Sequence, residues 1–155
     1  MRIIIITSII VAVLAGWAIG DEIDDLIPAI IEIESGGNPH AVSPAGAVGL
    51  MQLSVLVVEE YAEIEDRFYL DAAPGFVVQR WYDKRYIPSW NLMVGEWYLR
   101  RIRDHYLKEN YTVERLLHAW NGGITKLRKY NYDCSKMPKE SREFSRKVLK
   151  YMGEK

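Results

Sequence analysis

The first clear pattern after residue 20 is an apolar stripe at helical spacing. Ile23, Ile27 and Ile30 recur at intervals of four and three residues, which places them on one face of a helix. Polar Asp21 precedes the first of them and is a suitable residue for the start of that helix. The pattern therefore predicts an amphipathic helix that begins near Asp21 and buries its isoleucine face.

Glu34 falls on this apolar face, because it follows Ile30 by four residues. Gly36 and Pro39 end the helix directly afterwards, so the carboxylate lies in the last turn, where the backbone carbonyls disfavour an anion. Burial and the helix dipole would both raise its pKa. A carboxylic acid that keeps its proton near neutral pH can act as a general acid toward a sugar oxygen. From periodicity alone, the alternative is a surface glutamate at a frayed helix end.

The rest of the chain also has mainly helical patterns. We predict a short helix over residues 55–62 and a longer one from Pro88 to about Lys108. A third helix runs from the cap Thr112 to Asn121. After Pro138 we predict a basic amphipathic helix whose apolar face is Phe144, Val148, Leu149 and Met152. Between Glu63 and Arg85 the periodicity fades, with a turn at Pro74-Gly75 and several aromatic residues that could line a sugar cleft or the core. The sequence predicts a mainly α fold.

The N-terminus is a separate segment. Residues 3–20 carry no charge and follow a single basic residue, Arg2, which is typical of a secretion signal or an uncleaved anchor. Small residues at Gly16 and Ala18 suit a signal peptidase, and the run is also long enough to span a bilayer. We predict a signal peptide or membrane anchor at 1–20, followed by one domain at 21–155 that is exported to the periplasm or cell envelope. A buried helix of a soluble protein is the alternative.

Composition and residue spacing argue against several classes of function. The net charge is −1, with an acidic stretch after residue 20 and a basic C-terminal third, but no nucleic-acid-binding motif accompanies the basic residues, so we expect no nucleic-acid partner. His40, His105, His118 and the lone Cys134 lack the spacing of metal ligands, and no glycine-rich phosphate loop occurs. We therefore predict no metal and no cofactor.

Four motifs, in the same order, closely resemble those of the soluble lytic transglycosylase (SLT) family, relatives of goose-type lysozyme. They are Glu34-Ser35 with Asn38-Pro39, Ala41, Ser43, Gly46-Ala47 and Gly49-Leu50-Met51-Gln52; Asn91, Gly95 and Tyr98-Leu99; Ala119-Trp120-Asn121-Gly122-Gly123; and Pro138-Lys139-Glu140-Ser141. The resemblance covers nearly everything after residue 20. It implies a lysozyme-like single domain with a glycan cleft.

The resemblance also implies an activity. The substrate would be the glycan strands of peptidoglycan, cut at the β-1,4 bond between N-acetylmuramic acid and N-acetylglucosamine. Glu34 would protonate the glycosidic oxygen and then accept the proton of the muramoyl C6 hydroxyl, which attacks C1 and leaves a 1,6-anhydromuramoyl end. Proteins of a cell-envelope machine are candidate partners, as is the membrane if residues 1–20 are retained.

By the same resemblance, several residues would bind substrate. Ser43 and Gln52 would contact the sugar near the cut, and Met51 and Leu50 would wall the pocket. Trp120 would bind substrate, Asn121 would lie beside Glu34, and Glu140 would bind substrate or hold the cleft together. Each also has a purely structural alternative: Ser43 as a turn residue, Gln52 as a backbone contact, Asn121 as a helix cap and Glu140 as an acid in a first helical turn.

Departures from the family pattern leave the reaction open. Trp120 stands where the family usually has tyrosine, and an indole offers only an N–H donor. Phe144 stands where a tyrosine is expected, and Leu53-Ser54 replaces an I-M-P continuation before a long connection. A hydrolytic, lysozyme-like muramidase and a non-catalytic glycan-binding module of a cell-envelope machine therefore remain alternatives.

Overall fold

The computed structural model describes residues 21–65 and 84–153, and these ranges form helices joined by short loops. The helices are α1 (Glu22–Ser35), α2 (Val55–Glu65), α3 (Pro88–Arg101), α4 (Val113–Gly122), α5 (Ile124–Lys129) and α6 (Lys139–Gly153). Helix α3 continues as a π-helical segment, Ile102–Leu107, and a 3-10 turn, Lys108–Asn110; a second 3-10 turn, Cys134–Lys136, precedes α6. Within the described ranges, β pairing is limited to the isolated antiparallel bridges Val42–Val48 and Val48–Leu53.

Helix α1 lies in the core and packs against α3 and α6. The carboxylate of Asp21 caps it by accepting a hydrogen bond from the backbone N–H of Ile23 at 3.1 Å. Ile23 and Ile30 are completely buried, as predicted, and so is Leu26, whereas Ile27 is only partly buried against the core. Each such side chain contributes about 1.5–3 kcal/mol of hydrophobic stabilisation. Burial of this face fixes the rotation of α1, and with it the direction of Glu34.

The end of α4 and the start of α6 approach each other closely. A Cβ atom at Gly122 would lie 2.6 Å from Cε of Met137 and 2.8 Å from Oγ of Ser141. A side chain at this position would have to displace Met137 and Ser141, so glycine permits the close approach. The contact brings the C-terminal end of α4, with Asn121, next to the first turn of α6, with Glu140.

The mainly α fold predicted from the sequence is confirmed. The hydroxyl of Thr112 caps α4 by accepting from the N–H of Arg115 at 3.2 Å, and α6 follows Pro138 as expected. The helix predicted to reach Lys108 is α-helical only to Arg101, and α5 with the 3-10 turns was not predicted. Leu149, predicted to face the core, is 40% exposed.

Two sets of predictions lie outside the described residues. These are the signal peptide or anchor at 1–20 and most of the connection before α3, including the Pro74-Gly75 turn and its aromatic residues. Among the helices that the structure does describe, none combines the length and hydropathy needed to cross a bilayer.

Candidate active site

Glu34 lies in the last turn of α1, at the point where the chain leaves the core. Gly36 ends the helix in a left-handed conformation (φ 58°), and its N–H donates to the carbonyl oxygen of Glu32 at 3.1 Å. The hydroxyl of Ser35 donates to the carbonyl oxygen of Leu50 at 2.7 Å. This bond ties the end of α1 to the glycine-rich loop that follows it, residues 36–54, and so holds the loop beside Glu34.

A cavity of about 400 Å³ opens at this end of α1. It is formed by the loop after α1, the start of α2, one face of α3, the end of α4 and the first turn of α6. Its lining combines the side chains of Glu34, Ser43, Gln52, Ser54, Leu56, Val57, Tyr98, Trp120, Asn121 and Glu140 with small residues at positions 45, 47, 119, 122 and 123. A concave site of this size with a few polar groups among apolar walls has the features of a small-molecule binding site.

The carboxyl group of Glu34 is held by the indole of Trp120, whose Nε1 donates to Oε1 at 3.0 Å. Burial raises the pKa of Glu34 to about 7, the bond from Trp120 lowers that pKa, and the charge of Glu140 raises it again. The side chain is therefore shared between its acid and carboxylate forms near neutral pH. A group in this state can give up a proton and take one back within the same reaction.

Tyr98 forms a further wall of the cavity, on α3. Its ring lies 5.8 Å from that of Trp120, centre to centre, in a tilted arrangement that supports the indole from the side. Burial raises the pKa of Tyr98 to about 12, so its phenol keeps its proton and remains a donor.

Comparison with known proteins identifies the family of this chain. The family model described as Transglycosylase SLT domain matches residues 21–142, which is most of the chain. The chain belongs to the SLT family. Glu34, the glycine-rich loop, Trp120 and Glu140 all lie inside the matched SLT region.

Curated relatives carry transglycosylase names. The chain is 41% identical over 115 residues to the membrane-bound lytic murein transglycosylase C of Actinobacillus pleuropneumoniae serotype 5b (strain L20), which covers 70% of this chain and 29% of that protein. It is 62% identical over 39 residues to the endo-type membrane-bound lytic murein transglycosylase A of Klebsiella pneumoniae (strain 342), covering 25% of this chain and 18% of that protein. The chain thus spans less than a third of the length of these relatives.

The SLT fold brings most of the predicted site residues together. Glu34, Ser43, Gln52, Trp120, Asn121 and Glu140 all line the cavity. Ser43 and Gln52 also have structural roles. The hydroxyl of Ser43 accepts from the N–H of Ala47 at 3.0 Å, and Nε2 of Gln52 donates to the carbonyl oxygens of Ala41 and Gly49 at 3.1 and 2.9 Å. These bonds occupy Nε2 and leave Oε1 of Gln52 to accept from a ligand.

Met51 does not wall the cavity, contrary to the prediction. Its side chain is completely buried, and a Cβ atom at Gly95 of α3 would lie 2.3 Å from its sulfur. Met51 therefore packs beneath the loop, in the space that Gly95 leaves open. Leu50, predicted beside it, lies outside the lining and contributes its carbonyl oxygen to Ser35 instead.

Asn91 is a residue whose role the sequence did not reveal. Its completely buried amide accepts from the N–H of Met51 at 2.8 Å and donates to the carbonyl oxygens of Val48 and Arg85 at 2.9 and 2.8 Å. A Cβ atom at Gly49 would lie 2.2 Å from Nδ2 of this amide. Asn91 thus holds the loop from within the core. The signal available in the sequence for a buried role of Asn91 was its place as a polar residue among the apolar positions of α3.

Proposed function

We propose that this chain is a lytic transglycosylase that cleaves peptidoglycan glycan strands, with Glu34 as the only acid–base group. The observation that carries the proposal is the placement of Glu34: it is half-buried in a sugar-sized cavity, bonded to the indole of Trp120, and has a pKa raised to about 7. Membership of the SLT family and the names of the relatives support the same activity.

In the proposed reaction, the protonated Glu34 gives its proton to the oxygen that links N-acetylmuramic acid to N-acetylglucosamine, and the bond from that oxygen to C1 breaks. The C6 hydroxyl of the muramoyl unit attacks C1 and its proton passes to the Glu34 carboxylate. The enzyme is restored and no water is consumed. The product is a strand with a 1,6-anhydromuramoyl end.

The cavity offers groups for the other requirements of this reaction. Oε1 of Gln52 and the amide of Asn121 are hydrogen-bonding groups for sugar hydroxyls and N-acetyl groups. Leu56, which is 74% exposed, and Val57 give the same cavity an apolar edge. An apolar edge suits the carbon face of a pyranose ring.

Hydrolysis is the second candidate, because a second carboxylate, Glu140, lines the same cavity. Its charge contributes to the raised pKa of Glu34. Glycosidases that invert configuration use such a second carboxylate to remove a proton from the attacking water. Glu140 would then be the base, and the product would carry an ordinary reducing end.

Digestion of purified peptidoglycan in ¹⁸O-enriched water, followed by mass spectrometry of the soluble fragments, separates the candidates. Transglycosylation gives anhydro ends without ¹⁸O. Hydrolysis gives reducing ends that each contain one ¹⁸O atom at C1. Binding of strands without soluble fragments would support the non-catalytic module instead.

We also propose export to the cell envelope, through residues 1–20 as a signal peptide or membrane anchor. The uncharged run after Arg2 and the membrane-bound relatives support this location, where the substrate lies. Partner proteins of an envelope machine would bind the exported domain, residues 21–155.

A further inference from the structure

A second group of reactive side chains lies away from the cleft. Glu114 and His118 are one turn apart on α4, and Cys134 begins the 3-10 turn before α6. One potential ligand atom from each of the three lies within 4.8 Å of the other two, and Oε1 of Glu114 is 4.0 Å from Nε2 of His118. We propose that Glu114, His118 and Cys134 form a binding site for a zinc ion or a similar divalent transition metal.

The donor set suits zinc. Zinc in proteins binds thiolate, imidazole and carboxylate ligands, and ligand atoms around one tetrahedral zinc lie about 3.3–3.7 Å apart. The distances between the three ligand atoms would therefore need to shorten by about 1 Å. Glu114 can make this movement at little cost, because its side chain is exposed on the surface of α4. After this movement, Glu114 and His118, one helical turn apart, and Cys134 from the nearby 3-10 turn would occupy three corners of a tetrahedron around the metal.

His118 is already oriented for such a role. Its ring is 2% exposed, and Nδ1 lies 2.8 Å from Oγ of Ser141 on α6. When Nδ1 carries the proton and donates it to this hydroxyl, Nε2 is free of a proton and can bind the metal. Ser141 itself is 1% exposed. It is therefore inaccessible as a nucleophile, and the Ser141–His118–Glu114 series is not a hydrolytic triad.

An unsatisfied hydroxyl points to a ligand at the same place. A cavity of about 350 Å³ is lined by Glu114, His118, Cys134 and, from α6, Ser145. The hydroxyl oxygen of Ser145 is buried and lacks a hydrogen-bond partner within the described residues. Buried hydroxyls are rarely left without a partner. A water molecule in the fourth position of the metal would give this hydroxyl one.

Charge balance is consistent with a divalent cation. Binding replaces the proton of the Cys134 thiol by a bond from sulfur to the metal, and the proton passes to solvent. The resulting thiolate and the Glu114 carboxylate together neutralise the ion. Two arginines, Arg142 and Arg146, also line this cavity, and Arg142 already donates to the carbonyl oxygen of Ser135 at 3.1 Å. The bound metal would fasten α4 to the turn that leads into α6.

The test is metal binding by the purified full-length chain, kept reduced and freed of metal with a chelator. We expect one Co²⁺ per chain, with a near-ultraviolet thiolate charge-transfer band and visible bands of a tetrahedral ion, and displacement of Co²⁺ by Zn²⁺. Cys134→Ser should remove the thiolate band and weaken Zn²⁺ binding by at least about 100-fold. Glu114→Gln should weaken it by about 10-fold. The melting temperature of the wild type should rise with Zn²⁺.

Glu109→Gln is the matched control, because Glu109 is another exposed carboxylate outside the cluster, and it should bind Zn²⁺ like the wild type. Circular dichroism of each variant establishes that it is folded. The absence of saturable one-to-one binding, wild-type affinity in Cys134→Ser, or equal weakening by Glu109→Gln would each overturn the proposal. The readout is metal binding, so it is independent of whether the cleft is a transglycosylase.

Discussion

The indole N–H of Trp120 donates to the carboxyl group of Glu34 across 3.0 Å, joining the end of α4 to the end of α1. The sequence left open how the acid is held when tryptophan stands in place of the family's usual tyrosine. The bond shows that the indole supplies a donor to Glu34. Since this donor favours the carboxylate form, it lowers the pKa that burial raises.

Trp120→Phe should therefore raise the pKa of Glu34, because it removes the donor and keeps an aromatic ring. In the proposed reaction Glu34 must begin protonated, so the wild-type kcat/KM should fall as the pH rises through about 7. In Trp120→Phe this fall should move to higher pH, and the maximal kcat should drop by about 10-fold or more, since the acid is no longer held. The pH profile of peptidoglycan solubilisation measures both effects.

Trp97→Phe is the control for this substitution. The indole of Trp97 on α3 bonds to Glu65 at 2.8 Å and lies outside the cavity lining. The pH profile of peptidoglycan solubilisation by Trp97→Phe should match that of the wild type. A Trp120→Phe profile that stays in place, or moves to lower pH, would contradict the assigned role of the indole.

Glu34→Gln should stabilise the protein at alkaline pH. The pKa of Glu34 is raised from 4.5 to about 7 on folding, so its favourable contribution is complete below pH 4.5 and is lost as the pH rises through about 7. Glutamine cannot ionise and avoids this loss. At pH 8 the variant should exceed the wild type by up to about 3 kcal/mol in free energy of unfolding, with the gap closing toward pH 4.5.

Urea unfolding at a series of pH values measures this gap. Glu32→Gln, on the exposed side of the same helix, is the matched control and should leave the pH dependence of stability unchanged. An equal gap at every pH would argue that the effect of Glu34→Gln has nothing to do with ionisation.

Asn91→Ala should destabilise the fold by about 3 kcal/mol or more. The substitution leaves the buried N–H of Met51 without its acceptor and removes one donor from each of the carbonyl oxygens of Val48 and Arg85. Urea unfolding at pH 6 gives the value. Asn110→Ala, at a half-buried position in the 3-10 turn after the π-helical segment, should change stability by only about 0.5 kcal/mol. A loss below about 1 kcal/mol at Asn91 would show that the loop does not depend on this amide.

The sequence predicted those features that follow from helical periodicity. Glu34 lies beside the cavity because its position, four residues after Ile30, shares the face that Ile30 buries. Loop side chains do not follow such a rule. Gln52 has a left-handed backbone (φ 49°), and it lines the cavity while its neighbour Met51 packs beneath Gly95. Which of two adjacent loop residues faces a ligand depends on backbone angles that no periodic pattern encodes.

For a related reason, the sequence did not predict contacts between residues that are far apart along the chain. The spacing of Glu114 and His118 is readable as one helical turn, but Cys134 reaches them only through α5 and a 3-10 turn, which were not predicted. The buried amide of Asn91 likewise meets the glycine-rich loop across 40 residues of chain. A family motif contained Asn91, but its physical role became visible only in the fold, and no motif contained Glu114, His118 or Cys134.

The most direct test of the central claim is product analysis with three proteins: wild type, Glu140→Gln and Glu34→Gln. Each would digest purified peptidoglycan at pH 6, and mass spectrometry would count the anhydromuramoyl and reducing ends released. If Glu34 alone provides acid and base, the wild type and Glu140→Gln both release anhydro ends, and the nearly isosteric Glu34→Gln releases none while remaining folded. Continued cleavage by Glu34→Gln, or reducing ends that disappear in Glu140→Gln, would contradict the account.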